Sequence, residues 1–259
     1  MPQIPADTLV PAPADVTDPV VIAALDALAR RHRAANGMGM QLMGTVGGSA
    51  ENLLERLPDR VKDRLEGATK LALETAFNAA SRSRGVVTDR KDWLNTVIAT
   101  AMGAAGGSGG LATSLAEIPV TTTVLLRAIQ GIAAEHGFDP TDEATRFDCI
   151  RVFASAGPMA KDDGTDLGFL AARVTITGTS LHALIARVAP QLSLVLGQKL
   201  AAQAVPVLGA VAGAAVNYAF TSYYQEMARV QFGLRRLAED SGLPREALTE
   251  ALRTRLQKA

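Results

Sequence analysis

Two long stretches of this chain carry no charged side chain: one lies between Asp92 and Glu117, the other runs from Leu200 to Gln225. Each is long enough to cross a bilayer, at roughly 20 residues per span. Asn95, Ser108, Gln203, Pro206 and Asn217 interrupt them, however, and such residues raise the cost of insertion. The better expectation is a pair of helices buried in a protein core. With only 4 % of 259 residues aromatic, Ala, Leu, Val and Gly must fill that core. Small side chains let helices approach closely, and four small-xxx-small pairs stand out: Gly44/Gly48, Gly103/Gly107, Gly106/Gly110 and Gly209/Gly213. An interior Gly costs a helix about 1 kcal/mol relative to Ala, which close helix contact can offset. The same features also suit docking on a bilayer.

Local signals divide the rest of the chain into helices. Residues 1–17 hold four prolines with little periodicity and read as a flexible tail. Asp18-Pro19 has the form of an N-cap followed by Pro in the first helical position. Val21, Leu25, Leu28 and His32 follow at helical spacing, and Gly37 is the expected stop. Pro58 opens a charged helix with Val61, Leu65, Ala68 and Ala72 on one face, ending near Gly85. Thr88-Asp89 caps a helix carrying Trp93. Pro119 is expected to restart a helix that Gly137 ends, with His136 as a C-terminal cap favoured by the helix dipole. Asp139-Pro140 begins another, ending near Gly157. Breaks are expected near Gly178, Pro190 and Pro206, and Pro244 starts a last amphipathic helix. VTITGTS, at 174–180, has strand propensity but stands alone, so a parallel α/β sheet is not expected. The fold class is therefore all-α: one compact multi-helix bundle over residues 18–259, its Gly/Ala-rich helices closely packed.

Composition narrows the partners. The chain has 26 basic and 26 acidic residues, so it lacks the basic excess of a dedicated nucleic-acid binder. A single cysteine, Cys149, permits no internal disulfide or thiol zinc site and reads as inert core. The first residues show neither the basic nor the apolar region of a secretory signal. A reducing, cytoplasmic compartment is expected, with no nucleic acid among the partners.

Candidate chemistry is sparse. Gly106–Gly110 matches the G-x-S-x-G nucleophile pattern around Ser108, and Asp162, Asp163 or Asp166 and then His182 follow in hydrolase order. That elbow needs a strand before the serine, whereas NTVIATAMGAA reads as helix. Gly107 to Ala112 matches a dinucleotide pattern but also lacks its strand. His32, His136 and His182 are isolated, and KDDGTD lacks the full spacing of a calcium loop. No metal and no cofactor is expected. Glu117 and Arg127 bracket a helix containing Thr121, Thr122 and Thr123. A lone buried Glu117 would be costly, and Arg127 or Arg173 could pair with it. Asn217, Thr221 and Tyr224 share one helical face at i, i+4, i+7. That face either ties its helix to a neighbour or lines the polar end of an apolar pocket.

Several of these segments have relatives. IPVTTTVLLRAIQGIAAEHG, TRFDCIRVFASAG, GFLAARV with its Arg173, and the stretch from Gln198 to Leu237 together resemble the EcsC family, named for a protein encoded beside a bacterial ABC transporter. The resemblance runs from about Trp93 onward. It implies a bacterial, helical, cytoplasmic protein working at the membrane, and brings no defined activity. Many relatives have His-Phe-Gln where this chain has Tyr223-Tyr224-Gln225, and Gly-His-Phe where it has Val230-Gln231-Phe232. The absent histidines weaken any metal or acid–base role there.

The expected function is that of a non-catalytic accessory protein, peripheral to the inner face of the cell membrane. Lipid or a membrane surface, or a membrane protein, is its partner. The ligand-facing residues are Glu117, Thr121, Arg127, Arg173, Gln203, Asn217, Thr221 and Tyr224. The alternatives are a serine hydrolase using Ser108 and His182, or a scaffold binding partner helices.

Overall fold

A computed structural model describes residues 15–46, 54–55, 57–83, 111–155, 157–158, 181–203 and 209–258. Seven helices and no strand occur among them: α1 (Pro19–Val46), α2 (Asp59–Ser83), α3 (Leu111–Glu135), α4 (Glu143–Val152), α5 (Leu181–Gln203), α6 (Gly209–Ser241) and α7 (Arg245–Gln257). The fold is all-α, as expected.

The helix caps follow from their residue types. Asp18 Oδ1 accepts a hydrogen bond from Val20 N at 2.8 Å, satisfying a donor that the first turn leaves without a partner. Gly137, at φ +82°, ends α3 in a Schellman motif: Phe138 N donates to Ala133 O and Gly137 N to Ala134 O. His136 Nδ1 meets Ile132 O at 2.7 Å, so that nitrogen carries the proton and caps the helix as expected. Gly242, at φ +70°, ends α6, and Pro244 stands at the start of α7. Asp139 instead folds an Asx turn, accepting from Thr141 N and Oγ1 at 2.8 Å each, so α4 starts only at Glu143.

Other breaks expected from the sequence do not occur. Gly37 lies inside α1, Pro119 inside α3 and Pro190 inside α5. An interior proline costs about 3 kcal/mol. At Pro190 the helix continues because Leu184, Ile185 and Val188 before it, and Leu192, Val195 and Leu196 after it, are all buried in one core. Pro190 and Ala186, whose carbonyl the ring deprives of a partner, both face outward, where water can serve. Residues 15–17 are not tail-like: they form a turn in which Asp18 N donates to Asp15 O, and Val16 packs on the core. The Trp93 helix, the glycine run 103–110, the loop 160–166, VTITGTS and the expected breaks at Gly178 and Pro206 lie outside the described residues.

The bundle is built from the pairs α1–α6 and α2–α3, joined by contacts of α2 with α5 and of α3 with α6. The face of α1 read from the sequence, Val21, Leu25, Leu28 and His32, is buried. α4 lies against α3, α5 and α6, and α7 covers α1 and α6. Close helix approaches are found at Gly197 and Gly233. A Cβ at Gly197 would lie 2.7 Å from Leu65 Cδ2 and 2.8 Å from Leu54 Cδ2, and one at Gly233 would lie 2.7 Å from Leu28 Cδ2. Neither belongs to the small-xxx-small pairs picked out in the sequence.

Candidate functional site

The residues expected to face a ligand fall into three groups. Ser108 and Arg173 lie outside the described residues. Glu117 and Gln203 belong to α3 and α5, but their side chains are not described. Thr121, Asn217, Thr221 and Tyr224 are buried, Arg127 is half-buried on α3, and His182 is exposed in the first turn of α5. Glu117 and Arg127 sit on one helix about 15 Å apart at 1.5 Å per residue, too far to pair with each other.

The shared face of Asn217, Thr221 and Tyr224 is real and longer than its first three members. Continued down α6 at the same spacing, it passes Gln231 and reaches Arg235, which lies about five turns and about 27 Å beyond Asn217 on the same side of the helix. All but Arg235 are buried. Tyr224 packs edge-on against Phe153 and Tyr223, with centroids 5.3 and 5.4 Å away. Tyr223 Oη accepts a hydrogen bond from Gly157 N at 3.1 Å, which ties α6 to the turn after α4. Burial pushes the Tyr224 phenol well above its ordinary range, and the neighbouring Tyr223 adds to that. Among the described residues, Tyr224 Oη has no hydrogen-bond partner; nor do Thr122 Oγ1 and both amide atoms of Gln130 on α3.

At the lower end of the stripe stands a charge cluster. Asp148, on α4, accepts at Oδ1 from Gln231 Nε2 at 2.9 Å, Arg151 Nη1 at 3.3 Å and Arg245 Nη1 at 3.5 Å. Its Oδ2 accepts from Arg235 Nη1 at 3.2 Å. Arg235 also donates to Thr145 Oγ1 at 3.2 Å and approaches Glu239 at 3.5 Å, and it stacks 4.0 Å above the Phe138 ring. Asp148 and Arg151 keep 7 % of their side-chain surface exposed, Arg245 18 % and Arg235 20 %. Burial lowers the Arg151 pKa; Asp148 opposes that and Arg245 reinforces it. Sequence reasoning missed this cluster. Extending the i, i+4, i+7 stripe would have found Gln231 and Arg235, but no local pattern places Arg245 or Arg151 beside them.

On the other side of α4, Phe77, Glu143, Arg146 and Phe147 line a cavity of ≈ 210 Å³, with Arg146 stacked 4.0 Å over Phe77. Among the described residues no three His, Cys, Asp or Glu side chains gather where a metal could sit, and no helix is long and apolar enough to cross a membrane.

A model of the EcsC protein family matches residues 52–237, well over half of the chain. The chain belongs to the EcsC family. The match begins upstream of Trp93, so α2 is part of the EcsC domain, and it ends before α7. No curated protein and no solved structure matches this EcsC chain. Tyr223 anchors Gly157, and Gln231 donates to Asp148.

Proposed function

We propose that this EcsC-family protein is a non-catalytic accessory protein that holds a lipid or works at a membrane surface, its apolar helices forming an acyl-chain pocket or docking face. One observation carries the reading. The packed helices α3 and α6 bury polar groups that have no hydrogen-bond partner among the described residues: the Gln130 amide, Thr122 Oγ1 and Tyr224 Oη. A buried group left in this way costs about 1–3 kcal/mol. Polar groups set within apolar walls are what orients the head of an amphiphile in a binding pocket. Thr121, Asn217 and Thr221 belong to the same two helices, with Arg127 as a cation on α3. Large apolar side chains also face outward there: Val120 stands next to Thr121 and Tyr218 next to Asn217.

Native mass spectrometry of the purified full chain tests this, with flotation on phospholipid vesicles as the second measurement. Discrete lipid-sized mass additions, reduced in Gln130→Leu, are expected. A lipid-free spectrum together with a protein that stays at the bottom of the gradient would overturn the proposal.

A further inference from the structure

We infer that the arginine cluster around Asp148 is a binding site for a phosphate-type oxyanion. Three guanidinium groups from three elements converge there: Arg151 at the end of α4, Arg235 near the end of α6 and Arg245 at the first residue of α7. The one buried carboxylate among them is oversubscribed. Its Oδ1 takes three donors, two of them arginines at 3.3 and 3.5 Å, where a good charge-assisted bond is about 2.7–2.9 Å. Glu239, half exposed, answers Arg235 and Arg236. Arg151 and Arg245 therefore share Asp148, and the ion pairs found among the described residues leave the buried part of the cluster with one more positive than negative charge. Arginine cannot shed that charge by losing its proton.

The free donors give the ligand its chemistry. Arg151 Nη2, Arg245 Nε and Arg245 Nη2 are buried and make no hydrogen bond among the described residues. Arg151 is more than nine-tenths buried. Nε and Nη2 of Arg245 lie along one edge of the planar guanidinium, the fork that grips two oxygens of a phosphate at once. Its remaining nitrogen, Nη1, is the one that reaches Asp148. Arg245 also places a cation at the positive end of α7, an arrangement the helix dipole disfavours and an anion would relieve. A tetrahedral oxyanion offers oxygens to the Arg245 fork and to Arg151 together and cancels the surplus charge. This site stands apart from the lipid reading: it lies at the opposite end of the α6 stripe from Asn217, and a soluble phosphate compound would fill it as well as a lipid head group.

The test uses the purified full chain, titrated with inorganic phosphate against sodium chloride at matched ionic strength, read by calorimetry and by thermal melting. The expected result is saturable phosphate binding and a rise in Tm that chloride does not give. Arg245→Lys keeps the charge and loses the fork, so it should weaken phosphate binding about tenfold or more. Arg245→Met should abolish it while keeping the apolar stem. Arg236→Met, on an exposed arginine of the same region, should change nothing. Phosphatidic acid vesicles, compared with phosphatidylcholine, separate the sources. Retention that depends on Arg245 identifies a lipid head group, and phosphate binding without vesicle retention identifies a soluble phosphate compound. Either supports the site. A Tm that responds equally to phosphate and chloride, or Arg245 variants that bind as wild type does, would overturn it. Failure of the lipid proposal, seen as a lipid-free mass spectrum, leaves phosphate titration unaffected.

Discussion

Replacing Asp148 by Asn measures how strongly the arginine cluster depends on its carboxylate. Asn keeps the volume and one acceptor oxygen, so packing is preserved while the charge is lost and one acceptor atom becomes a donor. The perturbation turns Oδ1 or Oδ2 into an amide N–H₂ facing an arginine donor. Removing one partner of a buried ion pair typically costs 3–5 kcal/mol, because the other charge stays behind. Two of the three arginines retain about a fifth of their exposure, and Arg235 keeps Glu239. Water and that second carboxylate soften the loss, which places the expected value near the lower bound, about 3 kcal/mol. For a chain of this size each kcal/mol moves Tm by about 2–4 °C, so Asp148→Asn should melt roughly 6–12 °C lower. Thermal denaturation followed by circular dichroism reads this directly. The sharper assay is a cycle with Arg151→Met. If the loss arises from stranding a cation, removing that cation should return part of it, giving a coupling of about 1–3 kcal/mol. A drop of less than about 2 °C, or strict additivity in the cycle, would refute the claim that Asp148 compensates buried charge.

Four other outcomes are expected. Gly157→Ala should destabilise the fold by about 2–4 kcal/mol in urea melts, because Gly157 has φ +88° and an added Cβ would lie 2.7 and 2.8 Å from the two methyls of Val195; Val is stiff at χ1 and has little room to yield. Tyr224→Phe should be neutral or stabilising by up to about 1 kcal/mol, since it deletes a buried hydroxyl with no described partner. The raised Tyr224 pKa also sets a pH dependence: above the ordinary phenol range the unfolded chain loses this proton and the folded one holds it, so stability falls as pH rises past about 10, and in melts between pH 9 and 11 Tyr224→Phe should show a shallower decline. Asn217→Ala should lower stability by about 1–3 kcal/mol if its amide ties α6 into the bundle, whereas an unchanged Tm with reduced lipid retention would assign that amide to the ligand.

What the sequence made legible was whatever a few adjacent residues decide. Asp18-Pro19, Gly137 with His136, and Pro244 mark real helix ends because a cap is a local hydrogen-bonding problem, solved by the residues on the spot. The all-α class followed from the same signals. Pro119, Pro190 and Gly37 were misread because their local penalty is only about 1–3 kcal/mol, and apolar burial along the rest of α3, α5 and α1 exceeds it. That burial depends on neighbours remote in sequence. Glycine shows the same division. The surroundings of the spacing pairs lie outside the described residues; among the described glycines a Cβ would collide at Gly157, Gly197 and Gly233, at the last two with a leucine remote in sequence.

The α6 stripe shows where legibility ends and why. Helical spacing put Asn217, Thr221 and Tyr224 on one face, and the same arithmetic extends to Gln231 and Arg235. A single helix face is visible to anyone counting residues. What spacing cannot supply is the partner: Asp148 lies 87 residues from Arg235 and 97 from Arg245, and only the packing of α4 and α7 against α6 brings them together. A buried carboxylate with a single cation is ordinary structural pairing. The departure here is three guanidiniums on one carboxylate, with the Nε/Nη2 fork of Arg245 making no hydrogen bond among the described residues. That surplus arises from three helices at once, so no window of sequence could have displayed it. For the same reason it is weak as a stabilising device. Replacing such a cluster with apolar side chains is often neutral or favourable. Unsatisfied donors inside a small domain lower its stability, and the charge they carry becomes favourable when an oxyanion reaches them.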